Sequence, residues 1–234
     1  MRSMNANVAL ATALLWLAVG CGGAKEESAE ATSGPKKFQI FPPTLFGGFD
    51  GANMYKVPIS IFKSDGPVTI SVDDPSLVSI DAQSNGTKVM LTTLKAGKTM
   101  LHAKTATQSA DAPLTINMYT PKQHDAGMNR YMMAADMMNP ACQDCHGKGN
   151  GPDHTPTEVD ADPDDDIANT FLTGTDPEGR PVDAEHEFTR ILKDYKHMWK
   201  VTDEEKVGLV AYLRSLPPTG YPPYDGPTAG EEEE

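Results

Sequence analysis

The hydrophobic pattern of this chain changes once, between Tyr119 and Gly127, and that change limits the folds open to it. Up to Tyr119, short runs of β-branched residues alternate with polar ones and are separated by turn residues such as Asp65-Gly66-Pro67. From Gly127 onward, apolar residues recur at the helical spacing of three and four. This order predicts two domains, an all-β domain followed by an all-α domain.

Size and charge exclude several classes of protein. The 234 residues are 38% hydrophobic, which is enough for a folded core and too little for a protein that crosses the membrane many times. The formal net charge of -13 would repel a nucleic-acid backbone, and no segregated basic patch offsets it. We therefore expect a folded protein that does not bind nucleic acid.

Seven short strands are predicted before residue 120. In the run that contains Val68, Ile70 and Val72, the apolar side chains share one face. Seven strands within about 80 residues are typical of a β-sandwich. The predicted strands cover residues 37–41, 55–62, 68–72, 77–80, 88–94, 99–104 and 114–119.

Two stretches of this half resemble the Ig-like domains of bacterial cell-surface proteins. They read VDDPSLVSI at 72–80 and LKAGKTML at 94–101. The resemblance implies an Ig-like sandwich over residues 38–120. No reactive cluster accompanies it: His102 lies alone in a predicted strand, and we interpret it as structural.

The N-terminus has the pattern of an export signal. Arg2 precedes an apolar run at 8–19 whose only polar member is Thr12. A membrane-spanning helix needs about 20 apolar residues, so this run fits a signal peptide better. The run ends in LAVGC at 17–21, which resembles a bacterial lipoprotein signal. The resemblance implies cleavage after residue 20 and lipidation of Cys21, the alternative being an ordinary signal peptide with an incidental cysteine.

A lipid on Cys21 would place the protein in the cell envelope, on the periplasmic side. Residues 21–37 have no apolar period and are predicted to form a flexible linker. Gly22 occupies the position at which aspartate is associated with retention in the inner membrane, so the outer membrane is slightly favoured. Residues 219–234 end in four glutamates and are predicted to form an extended acidic tail.

The second half contains the segment CQDCHG at 142–147. The Cys-x-x-Cys-His spacing puts two thiols one turn apart, so that both can add to the vinyl groups of one haem while His146 reaches the iron. A zinc site would need two more ligands at regular spacing, and a redox dithiol would need a βαβ context. Covalent haem c, one per chain, is therefore the favoured prediction for Cys142, Cys145 and His146.

Residues 121–218 resemble a class I monohaem cytochrome c domain. A predicted helix at 127–138 precedes CXXCH, with Tyr131, Ala134, Ala135 and Met138 on one stripe. A second helix begins at Thr202, with Glu205 completing a capping box, and ends before Pro217. The resemblance implies an all-α fold in which these helices cross beside the haem edge and Tyr212 packs at the crossing. We interpret the methionines before the motif as core residues. They are Met128, Met132, Met133, Met137 and Met138.

The sixth iron ligand is predicted in the loop before the second helix. Class I domains usually supply a methionine there, and Met198 is present. His197 and Trp199 form a His-x-Trp pattern that resembles a subgroup without a fixed methionine, so His197 is the first choice and Met198 the alternative. His186 or an open site comes next. His124 and His154 are expected on the surface, with His154 near the haem edge as a further option.

These features predict an exported c-type cytochrome that transfers one electron through a single haem. No acid–base pair or substrate cleft is evident, so an electron carrier is favoured over an enzyme. One alternative is the electron-transfer subunit of a periplasmic oxidoreductase complex, and another is a haem-based sensor with a labile sixth ligand. The acidic chain favours a basic redox partner.

Overall fold

Eight strands and four α-helices make up the computed structural model of this protein, which describes residues 37–82, 86–135, 140–148, 152–176, 179 and 199–222. All of these residues belong to one compact unit. The strands are β1 (Gln39–Phe41), β2 (Leu45–Phe49), β3 (Lys56–Phe62), β4 (Thr69–Val72), β5 (Val78–Ala82), β6 (Lys88–Thr93), β7 (Gly97–Lys104) and β8 (Ser109–Met118).

The strands form two four-stranded sheets that enclose the larger core. One sheet has the order β1-β3-β6-β5 and the other the order β2-β8-β7-β4, with β2 parallel to β8 and the other pairs antiparallel. This is the division of strands between the two sheets of immunoglobulin domains. Inward-facing residues of both sheets, among them Ile59, Leu91, Leu101 and Leu114, are fully or almost fully buried between them.

Strand β2 is absent from the predicted strands because its centre is a pair of glycines. A Cβ at Gly48 would lie 2.5 Å from ring carbons of Tyr55 and 2.8 Å from Tyr119, so the backbone here approaches two aromatic rings too closely for any side chain. The same absence of side chains removes the alternation that identifies a strand in sequence.

The helices lie after residue 120. They are α1 (Pro121–Met132), α2 (Pro156–Val159), α3 (Asp164–Thr173) and α4 (Asp203–Ser215), with 3₁₀ turns at Cys142–Asp144 and His146–Lys148. The predicted capping box of α4 is confirmed: Thr202 accepts from the Glu205 N–H, and the Glu205 carboxylate accepts from the Thr202 N–H at 2.8 Å. None of the described helices combines the length and apolar character needed to cross a bilayer.

The predicted separate all-α cytochrome c half is wrong. The described residues form mostly a sandwich of two β-sheets, with four α-helices after residue 120, and they contain no separate all-α cytochrome c half. The buried cluster of α1, α3 and α4 also includes Tyr55 and Tyr119 from the sandwich, and Tyr119 donates to Asp164 at 2.7 Å. The helical period predicts which stripe of a helix is buried, but not what packs against that stripe. Here the sandwich packs against part of the stripe.

Arg214 ties the helices to the sandwich. Its guanidinium is buried and donates to the carbonyls of Phe46 in β2, Val159 and Asp162, at 3.3, 3.1 and 2.6 Å. It also pairs with Asp164 at 2.9 Å. Burial raises the pKa of the neighbouring Asp160 well above its usual range, although the Arg214 charge acts in the opposite direction.

Several predictions for the first helix are wrong. The helix begins at Pro121 and ends at Met132, before Ala134 and Ala135, which are exposed. Met132 and Met133 are 45% and 64% exposed and are not core residues. His124, expected on the surface, is buried beside Tyr212 because it lies on the face of α1 that meets α4.

His102 bridges two carboxylates on the sandwich. It lies directly opposite Asp111 on the neighbouring strand, and its ring nitrogens are 2.7 Å from Asp111 and 2.9 Å from Asp73. The hydrogen bonds to Asp111 and then to Asp73 raise the pKa of His102. The structural interpretation of His102 agrees with these contacts.

We expect His102 to stabilise the fold at acidic pH. A raised folded-state pKa gives a contribution that is complete below the unfolded value of about 6.5 and is lost as the pH rises through the folded value. His102→Gln should therefore lower the melting temperature most near pH 5 and least at alkaline pH. A melting-temperature difference that is constant over this range would contradict the prediction.

Candidate functional site

The CXXCH turn, residues 142–146, lies after α1 on two short 3₁₀ turns. The Cys145 N–H donates to the Cys142 carbonyl at 3.3 Å, which places the two cysteines one turn apart. Neither cysteine takes part in a disulfide. The Gln143 side chain donates to the Met132 carbonyl at 2.7 Å and fastens the turn to the end of α1.

His146 is held in one orientation by the chain that follows it. Its Nδ1 lies 2.9 Å from the Pro152 carbonyl oxygen. Because a carbonyl only accepts hydrogen bonds, Nδ1 is the protonated nitrogen, and in the neutral ring the lone pair is on Nε2. An imidazole fixed in this way is typical of a metal ligand.

A continuous row of rings leads from the CXXCH turn to the crossing of α1 and α4. His146 stacks on His154 with centroids 3.4 Å apart, and His154 meets Tyr131 edge-on at 6.3 Å. Tyr131 contacts Tyr212 at 5.2 Å, and Tyr212 contacts His124 at 5.5 Å. Tyr212, predicted to pack at the crossing of the two helices, lies in this row.

Cys142 is partly buried. It packs against the apolar cluster of the helices, and burial raises the pKa of its thiol to about 11. The Arg130 charge opposes this shift. The thiol is therefore protonated at neutral pH.

Arg130 supports the chain on either side of the turn. Its buried guanidinium donates to the Met133 carbonyl at 3.1 Å and to the Pro140 carbonyl at 3.5 Å. It also lies 5.2 Å from the centre of the Trp199 ring, a cation–π distance. Trp199 in turn donates its N–H to the Phe171 carbonyl at 2.9 Å.

The residues of this turn fit a covalently attached haem. The donor set is two thiols outside any disulfide and one imidazole whose lone pair is on Nε2, and apolar and aromatic side chains adjoin it. Among the described residues, no group of three or more His, Cys, Asp or Glu side chains is placed to hold a metal ion. Such a haem would be held by Cys142 and Cys145, with its iron ligated by His146.

The other predicted site residues lie outside the described residues. They are Cys21, His186, His197 and Met198. Their roles stay predictions from the sequence.

The similarities of this chain to known proteins are to solved structures. No family model matches it, and no curated protein does. Among solved structures, domains 4 and 5 of the S-layer protein SbsC are similar over 35% of this chain and 44% of that chain, at 13% identity and a TM-score of 0.28. The M1 domain of titin is similar over 35% and 94%, at 6% identity and a TM-score of 0.28.

A third similar structure is the Ig7 domain of Dscam1, over 34% of this chain and 97% of that chain, at 9% identity and a TM-score of 0.28. This chain spans less than half of the S-layer structure that it matches. TM-scores this low do not establish a shared fold, so the architecture rests on the strand order described above.

Sequence reasoning missed the residues that hold the turn in place. Pro152 and Arg130 act through backbone carbonyls and a buried guanidinium, and neither belongs to a motif. His154 carried a weak signal, its closeness to CXXCH, and it proves to stack on His146.

Proposed function

We propose that this chain is an exported electron carrier with one haem attached covalently through Cys142 and Cys145. The observation that carries the proposal is the CXXCH turn, in which the His146 Nδ1–H is held by the Pro152 carbonyl. When bound, the haem supplies an iron that alternates between two oxidation states.

Cys142 and Cys145 would hold the group through two thioether bonds. Each thiol would add across one vinyl group, with Sγ bonded to one carbon and the thiol hydrogen to the other. The S–H bond and the vinyl π bond would be lost, nothing would leave, and no net electrons would be transferred. The Cys142 thiol, whose pKa burial raises, would supply one such hydrogen.

The surroundings favour electron transfer over catalysis. A carrier needs a fixed iron ligand, and the chain supplies one: His146 is oriented by Pro152, and its ring stacks on His154, which meets Tyr131 edge-on. Export to the periplasm, anchored through Cys21, agrees with covalent haem attachment outside the cytoplasmic membrane.

Removal of both cysteines tests the proposal. In a bacterial host that attaches haem to exported proteins, we expect the variant with Cys142→Ala and Cys145→Ala to lose all haem that survives denaturing electrophoresis. Cys21→Ser is the matched control, because it removes the third cysteine and should leave haem attachment intact. Haem staining of the denaturing gel gives the result. Equal staining of the double variant and the wild type would contradict the proposal.

The sixth ligand is the second test, and it concerns His197 and Met198. We propose His197, so His197→Ala should abolish the low-spin ferric spectrum, while Met198→Leu should leave it nearly intact. Imidazole favours ferric iron more than thioether sulfur does, so the midpoint potential should be in the low part of the haem c range. Loss of a red-edge sulfur-to-iron band in Met198→Leu would instead identify Met198.

A further inference from the structure

After α4 the chain turns back across the site and onto the sandwich. This C-terminal segment, residues 217–222, first meets the loop that follows the CXXCH turn: the Thr219 hydroxyl donates to the Asp153 carboxylate. Three residues further on, the Pro222 carbonyl accepts from the buried Ser60 hydroxyl of β3 at 2.9 Å. The segment therefore has one end on the loop and the other on the sandwich.

Asp153 is held from two sides. The Thr155 N–H donates to it at 2.8 Å and the Thr155 hydroxyl at 2.9 Å, while Thr219 binds the same carboxylate from the C-terminal segment. Asp153 follows Pro152 directly, and Pro152 carries the carbonyl that accepts from His146. Movement of Asp153 would therefore move the acceptor that orients the imidazole.

Two further contacts hold the C-terminal segment in place. The Gly220 N–H donates to the Thr157 hydroxyl at 3.2 Å, and the Tyr221 ring lies 5.7 Å from the Lys88 Nζ on β6. Thr219 and Gly220 thus contact the loop side, and Tyr221 and Pro222 contact the sandwich. The C-terminal segment therefore connects the loop after the CXXCH turn to the sandwich.

We propose that Thr219 is a positioning residue, which holds the Pro152 carbonyl through Asp153 and so couples the orientation of His146 to the β-sandwich. The proposal rests on the proposed function for its role in a haem protein, although the contacts exist without haem. It gives the sandwich a mechanical role as the fixed support of the C-terminal segment. A carbonyl held firmly against Nδ1–H makes the imidazole a more basic, more strongly donating ligand.

The test uses the full chain labelled with ¹⁵N-histidine, with and without haem. The His146 Nδ1–H signal is assigned by its absence in His146→Gln, and its exchange with water is measured. Thr219→Ala should speed this exchange about tenfold, since one hydrogen bond in the chain of contacts is lost. Thr219→Ser should restore the wild-type rate, because the hydroxyl is retained.

Thr107→Ala is the matched control, since Thr107 also binds an aspartate, Asp65, but in loops between strands of the sandwich. It should leave the exchange unchanged. In the haem-loaded protein, Thr219→Ala should also raise the midpoint potential, because a less basic imidazole stabilises ferric iron less. An exchange rate and a potential equal to those of Thr107→Ala would overturn the proposal.

Ser60→Ala tests the contact between the C-terminal segment and the sandwich. It should speed the Nδ1–H exchange in the same direction as Thr219→Ala and by a smaller factor. A wild-type rate in Ser60→Ala would overturn the coupling to the sandwich. If the chain takes up no haem at all, the proposed function fails, while the exchange measured without haem still decides whether Thr219 positions His146.

Discussion

Gly208→Ala is expected to destabilise the folded protein by about 3 kcal/mol or more. The reason is the close contact between α1 and α4, where a Cβ at Gly208 would lie 2.2 Å from the Gln123 carbonyl oxygen and 2.7 Å from the Gly127 nitrogen. A Cβ at Gly127 would lie only 1.8 Å from the Gly208 carbonyl oxygen. Backbone atoms cannot rotate away, so the helices would have to separate.

The sign of this effect is what makes it informative. In an ordinary helix, alanine is more favourable than glycine by about 1 kcal/mol, so propensity alone predicts stabilisation. Gly66→Ala is the control, because nothing lies within 4 Å of a Cβ at Gly66. Chemical denaturation of the three proteins gives the free energies of unfolding. A Gly208→Ala protein as stable as the wild type would refute the close crossing.

Arg214→Met is expected to cost about 3–5 kcal/mol, the range for breaking a buried ion pair. Arg214 is 2% exposed, and its removal takes a cationic donor from the Asp164 carboxylate and from the Phe46, Val159 and Asp162 carbonyls. Arg214→Lys should also destabilise, because an ammonium group cannot reproduce the planar fork that serves several acceptors at once.

An exposed ion pair provides the control for this measurement. Lys122 pairs with Glu204 at 2.7 Å, but its side chain is 82% exposed. Exposed pairs contribute about 0–1 kcal/mol, so Lys122→Met should change the free energy of unfolding little. Equal effects of Arg214→Met and Lys122→Met would contradict the role of Arg214 at the junction.

Predictions succeeded where the determining contacts are local in sequence. Helix α4 was predicted with its cap, because Thr202 and Glu205 are three residues apart and satisfy each other's backbone donors. The seven predicted strands depend on apolar and polar residues that alternate along the chain, which is also a local pattern. Strand β2 was not predicted, since Gly47 and Gly48 carry no side chain to alternate.

Predictions failed where the partner is distant in the chain. The separate all-α half was inferred from helical periodicity, but Tyr55 and Tyr119 of the sandwich complete the helical cluster. Arg214 reaches Phe46 across 168 positions, and no pattern along the chain encodes that contact. His124 was expected on the surface and is buried, because burial depends on the helix that packs over it.

The same distinction between local and distant contacts applies to the candidate site. The CXXCH turn is readable from five consecutive residues, whereas its support comes from Pro152, Arg130 and the returning C-terminal segment. These supports act mainly through backbone carbonyls, which every residue type possesses. A sequence pattern cannot single them out.

Covalent haem on the CXXCH turn is tested most directly by the intact mass of the exported wild-type protein, measured after denaturation. Two thioether bonds survive unfolding, so we expect the mass of the cleaved and lipidated polypeptide increased by one haem, with no atoms lost in the addition. The same sample should show the visible spectrum of a low-spin haem c. A mass equal to that of the polypeptide alone, from a host that loads other exported haem proteins, would contradict the proposed function.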